Sequence, residues 1–125
     1  MTDQTAAMTK ILLAEDDNDM RRFLVRALQN AGFEVASFDN GLSAYNRLRE
    51  EPFELLLTDI VMPEMDGPTM FGELRKRGVM AKIIFVSGYA EDAFAKNLPE
   101  GQEFGFLPKP FTLKQLVEAV KGALG

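Results

Sequence analysis

Four places along this 125-residue chain carry side chains able to do chemistry, and each stands at the end of a short apolar run. Glu15-Asp16-Asp17 follows Ile11-Leu12-Leu13-Ala14, Asp59 follows Leu55-Leu56-Leu57-Thr58, Ser87 follows Ile83-Ile84-Phe85-Val86, and Lys109 follows Phe104-Gly105-Phe106-Leu107-Pro108. If those runs are neighbouring parallel strands, their carboxyl ends gather the carboxylates, a hydroxyl and an ammonium in one crevice, where open α/β sheets bind ligands. Such a cluster suits Mg²⁺ and a phosphoryl group.

Mg²⁺ takes six oxygens, keeps several waters and uses one or two carboxylates plus phosphate oxygens. Glu15, Asp16 and Asp59 could supply the carboxylates. Packed together they raise one another's pKa, a penalty that a divalent cation reverses. One carboxylate could then attack phosphorus, since carboxylates form acyl phosphates. Lys109 would neutralise phosphoryl charge and Ser87 would hydrogen-bond an equatorial oxygen. Pro110 follows Lys109 directly; a cis bond there would aim the ammonium inward, although most X-Pro bonds are trans.

Each element also has a plainer reading. The acidic run could cap a helix starting near Asn18, and Asp59 could be a turn residue before Met62-Pro63. Ser87-Gly88 could be an ordinary loop and Lys109 a surface lysine. Against these readings stands the coincidence that all four fall at strand ends in the right order.

Composition narrows the chemistry further. Cysteine and histidine are absent, which removes disulfides, thiolate ligands and Ser-His or Cys-His nucleophiles. Any phosphohistidine must belong to a partner. A net charge of −5 disfavours direct nucleic-acid binding. The local basic groups Arg21-Arg22 and Arg75-Lys76-Arg77 read as solvated helix faces. No apolar run approaches the ~20 residues of a membrane span, and the polar start Met1-Thr2-Asp3-Gln4 lacks signal-peptide character. The expected location is cytoplasmic, with no membrane partner.

Strand-length apolar runs at 11–14, 33–38, 54–58, 82–87 and 103–107 alternate with helix-period segments. Met20, Phe23, Leu24, Ala27, Leu28 and Ala31 form an amphipathic stripe ending at Gly32. Leu113, Leu116, Val117, Val120 and Leu124 repeat it at the C-terminus. Segments 42–50 and 69–77 predict helices, the second capped by Asp66 before Gly67-Pro68. Segment 91–98 predicts a short, frayed helix stopping at Pro99. Five βα units favour an α/β fold with a three-layer, doubly wound parallel sheet. Residues 1–8 read as a disordered leader to a single domain over 9–124.

Over residues 9–124 the chain resembles a two-component response-regulator receiver domain. The resemblance is carried by Glu15-Asp16, by Leu57-Thr58-Asp59-Ile60-Val61-Met62-Pro63-Glu64-Met65-Asp66-Gly67, by Ser87 and by Lys109-Pro110-Phe111. It implies a flavodoxin-like strand order 2-1-3-4-5, Asp59 as phosphoacceptor, and Mg²⁺ held by Glu15, Asp16, Asp59 and the Val61 carbonyl. It implies a switch aromatic, often tyrosine, at Phe106; Tyr89, two residues beyond Ser87 and bulky enough to cover the site, is read as a second switch residue. Phe85-Val86-Ser87-Gly88-Tyr89 is similar to the Phe-Ala-Thr-Gly-Tyr signature of a receiver subgroup with an irregular fourth helix. Residues 9–67 resemble CpdR-type single-domain receivers and residues 68–124 the receiver of CckA-type hybrid kinases.

The implied function is a phosphorelay module, not a classified enzyme, that takes a phosphoryl group from a histidine kinase or histidine phosphotransferase and presents a changed face to a downstream protein. Two other classes stay open: an Mg²⁺-dependent aspartyl phosphohydrolase and a receiver-like binding module that is never phosphorylated.

Overall fold

The computed structural model describes residues 8–88 and 104–125. In chain order these form β1 (Lys10–Ala14), α1 (Asn18–Asn30), β2 (Glu34–Phe38), α2 (Gly41–Glu50) and β3 (Leu55–Asp59). They continue with α3 (Gly67–Lys76), β4 (Lys82–Ser87), β5 (Gly105–Pro108) and α4 (Leu113–Leu124). The five strands pair in parallel in the order β2-β1-β3-β4-β5. The expected α/β architecture and strand order are both present.

Alternation along the central strands explains the layers. Leu12 and Ala14 of β1 face the cluster of Ala44, Leu48, Met70, Phe71 and Leu74, drawn from α2 and α3. Ile11 and Leu13 face the opposite cluster with Leu24 and Leu28 of α1 and Leu116 and Val120 of α4. Side chains of successive strand residues point to opposite faces, so a strand covered on both sides must be apolar throughout. All five positions of β3 are accordingly buried.

Local signals fix where each helix begins. Asp17 caps α1, accepting from the Met20 amide at 2.7 Å. Asp66 caps α3 through the Thr69 amide at 2.7 Å. Thr112 and Gln115 form a reciprocal capping box on α4. Just past α1, Gly32 has φ +98, the left-handed conformation that glycine adopts without a Cβ penalty.

Two members of the expected stripes are not core. Phe23 is 47% exposed, because the sheet takes the line through Leu24 and Leu28 and leaves Phe23 off to its side. Leu113 is 50% exposed, since it directly follows the Thr112 cap and the packed line begins at Leu116. The strand 33–38 starts one residue later than expected, and 54–58 is shifted by one to end on Asp59. Segment 91–98, Tyr89 and residues 1–7 lie outside the described residues.

Candidate functional site

Register brings the chemical residues together. Thr58, Phe85 and Phe106 stand side by side across β3, β4 and β5, and one step further Asp59 pairs with Val86. Asp59 therefore projects from the final rung of β3, beside Ser87 at the end of β4. The Lys109 amide donates to the Ser87 carbonyl at 2.9 Å, which ties the turn after β5 to the end of β4. The Lys109-Pro110 bond is cis.

Glu15 is held from three directions. Its amide donates to the Phe38 carbonyl at 3.0 Å, its carbonyl accepts from Arg21 at 2.9 Å, and its Oε2 accepts from the Asp17 amide at 3.0 Å. Its side chain is buried, whereas Asp16 is exposed. One carboxylate oxygen from each of Glu15, Asp16 and Asp59 lies within 4.8 Å of the other two. Asp59 and Ser87 are buried, and Lys109 Nζ lies 3.3 Å from Asp59 Oδ1 and 3.7 Å from Glu15 Oε1. A cleft of about 90 Å³ opens between Asp59, Val61, Ser87, Gly88 and Lys109.

The protonation equilibria follow from this crowding. Burial, and then the neighbouring Asp59 carboxyl, push Glu15 up to about 7. Burial also raises Asp59, against the opposing pull of the adjacent Glu15 carboxyl and of the Lys109 charge. Burial by itself would lower Lys109, but the facing Asp59 and Glu15 carboxylates outweigh it and raise the ammonium. Asp59 Oδ1 is out of solvent and accepts no hydrogen bond from the described residues, although Lys109 makes an ion pair with it. A buried acceptor of this kind is costly unless something completes it. The convergent, all-oxygen donor set fits a hard cation, and the cleft beside it fits a small anionic group facing the ammonium.

Glu15, Asp16, Asp59, Val61, Ser87 and Lys109 thus converge, whereas Tyr89 lies outside the described residues. Phe106 sits half-buried on the neighbouring face, its ring 6.2 Å from Phe85 and 5.8 Å from Phe104 between centroids. Val61 is 59% exposed at the lip of the cleft. Sequence reasoning passed over Gly41 and missed how close Gly67 comes to Asp59. The Gly67 amide closes the loop after β3 by donating to the Ile60 carbonyl at 2.8 Å, and a Cβ there would sit 2.8 Å from the Asp59 carbonyl oxygen. The run Asp66-Gly67-Pro68 signalled a helix start; nothing in it signalled this approach to Asp59.

Comparison with known proteins agrees with this geometry. The response regulator receiver domain family matches residues 11–121. The chain is 52% identical over 117 residues to the response regulator receiver protein CpdR of Brucella abortus, covering 94% of this chain and 98% of that protein. It is 50% identical over 125 residues to the sensor kinase CckA of the same organism, covering 98% of this chain but 13% of the kinase. Among solved structures, the receiver domain of the hybrid histidine kinase CckA superposes with a TM-score of 0.78 at 33% identity, covering 93% of this chain and 99% of that domain. Both sequence alignments run through nearly the whole chain, so neither likeness is confined to one half. With the strand order, the strand-end carboxylates and these matches in agreement, the chain belongs to the response regulator receiver domain family of two-component signalling.

Proposed function

We propose that Asp59 is the phosphoacceptor, taking its phosphoryl group from a phosphohistidine on a histidine kinase or histidine phosphotransferase. The observation that carries this reading is Asp59 Oδ1, buried at the edge of the cleft with no hydrogen bond from the described residues and with Lys109 3.3 Å away. A carboxylate oxygen of Asp59 forms a bond to phosphorus as the phosphorus–nitrogen bond breaks, and the partner's imidazole leaves with that electron pair. Lys109 faces the phosphoryl oxygens as negative charge spreads over them, and Ser87 lines the same cleft. Glu15, Asp16, Asp59 and the Val61 carbonyl are the groups that would hold Mg²⁺. The ion, when bound, supplies positive charge that offsets both the carboxylate crowding and the incoming phosphate.

The phosphoryl group then becomes the signal. It adds charge and three acceptor oxygens beside Ser87 and Lys109, and Phe106 and Tyr89 are the aromatic residues we assign to the response. The output is a changed face for a downstream protein, and the setting is cytoplasmic. Among the described residues no helix is long and apolar enough to cross a membrane.

The test is incubation with acetyl phosphate and Mg²⁺, followed by mapping of the modified residue by mass spectrometry. A single label at Asp59, lost in Asp59→Asn and lost in EDTA, is expected. Labelling that survives either change overturns the assignment, and steady turnover of a small phosphate ester would show a hydrolase instead.

A further inference from the structure

The loop from Ile60 to Asp66 carries Val61, the one ligand we assign to backbone, and its shape is held from outside by α2. The Gly41 amide, at the first position of α2, donates to the Pro63 carbonyl at 3.0 Å. The same carbonyl accepts from the Met65 amide at 2.8 Å, and Glu64 between them has φ +71. A non-glycine residue in that region is uncommon and persists where surrounding structure holds it. At its base the loop is closed by the bond from the Gly67 amide to the Ile60 carbonyl. Val61 therefore lies between two fixed points, Ile60 and Pro63.

Contact at the outer point is unusually close. A Cβ on Gly41 would lie 1.7 Å from the Met65 carbonyl oxygen and 2.7 Å from its carbon. Nor can α2 readily retreat. The Asn40 side chain caps it by accepting from the Ser43 amide at 2.7 Å, and Ala44, Tyr45 and Leu48 bury it against the sheet. Any side chain at 41 must displace the Met65 backbone by more than an ångström, and the loop with it.

We infer that Gly41 is a positioning residue for the cation site: by admitting Met65 against α2 and by bonding Pro63, it fixes the loop that presents the Val61 carbonyl. The inference rests on the assignment of Val61 as a ligand. Gly41 touches neither cation nor phosphoryl group, and it acts only through the loop. Its loss should appear as weakened cation binding with the phosphotransfer chemistry intact.

The experiment is an Mg²⁺ titration of the full chain, wild type and Gly41→Ala, read by amide NMR shifts and by the initial rate of acetyl phosphate labelling. Gly122→Ala serves as control, because a Cβ there meets none of the described residues within 4 Å. Gly41→Ala should raise the half-saturating Mg²⁺ concentration about tenfold, the usual scale for a group that orients a ligand, while labelling at saturating Mg²⁺ stays at the wild-type rate. Unchanged half-saturation in folded Gly41→Ala overturns the inference. If that variant does not fold, the wild-type Gly41 amide decides: slow exchange and a shift on Mg²⁺ addition support the latch, and free exchange overturns it. A wild-type chain that binds no Mg²⁺ overturns the site reading and the latch together, whereas wild-type binding with an indifferent Gly41 overturns the latch alone.

Discussion

Lys109 Nζ stands 3.3 Å from Asp59 Oδ1 and 3.7 Å from Glu15 Oε1, so a single ammonium faces two buried carboxylates. The same two carboxylates are among those assigned to Mg²⁺. On that assignment Lys109 would have two opposed effects, competing with a metal for the carboxylates and attracting the phosphoryl group into the cleft.

Replacing Lys109 with alanine should separate these effects. With the competing charge removed, Mg²⁺ affinity should tighten, by about tenfold if roughly one to two kcal/mol of repulsion between nearby charges is relieved. Labelling by acetyl phosphate should fall by at least about a hundredfold, the scale for losing one group aimed at developing charge. Calorimetric Mg²⁺ titration and labelling rates measure the two sides. A Lys109→Ala chain that binds Mg²⁺ more weakly than wild type would contradict the competition.

A second prediction concerns pH. Glu15 is moved from an ordinary 4.5 to about 7 by burial, with Asp59 adding to the shift, and Asp59 itself moves upward. Between those two Glu15 values the folded chain holds more protons than the unfolded one. Without Mg²⁺, these groups should therefore make the fold less stable as pH rises through that window, the loss being complete above about 7. Mg²⁺ competes with the same proton, so its affinity should rise across the same range and level off above it. Melting curves with and without Mg²⁺ at about pH 5.5 and about pH 8 test both signs. The increase in melting temperature on adding Mg²⁺ should be the larger at the higher pH.

Much of this site could be read from the chain, for a definite reason. A strand buried on both faces must be apolar, so Leu55-Leu56-Leu57 ending at Asp59 and Ile83-Ile84-Phe85-Val86 ending at Ser87 mark where backbone stops and chemistry starts. Strand order came from the family resemblance, because periodicity does not say which strands are neighbours. Nor does sequence distinguish Glu15 from Asp16. Their carboxylates reach the same point, and it takes the structure, through the bond from the Asp17 amide and the burial, to show that Glu15 is enclosed while Asp16 stays exposed. The contact between Gly41 and Met65 was equally hidden, since Asn40-Gly41 resembles any capped helix start and its partner lies on a distant loop.

The last prediction is that destroying the acceptor stabilises the fold. Asp59 is buried, its Oδ1 accepts no hydrogen bond from the described residues, and its charge stands against that of Glu15. Asparagine keeps the shape, removes the charge and offers N–H donors to the Glu15 carboxylate. Lys109 keeps Glu15 at 3.7 Å and remains one-third exposed, so losing its attraction to residue 59 offsets only part of the gain. At about pH 8 without Mg²⁺, Asp59→Asn should be more stable than wild type by about 1 kcal/mol, or ~4 °C in melting temperature. Its stability should also fall less between about pH 5.5 and 8, because Glu15 would return toward its ordinary range. This is the trade expected where a reactive group is kept at the expense of the fold. Thermal melts of the two proteins across that range decide it, and an Asp59→Asn chain less stable than wild type at the higher pH would show that the carboxylate is held by its surroundings and not strained by them.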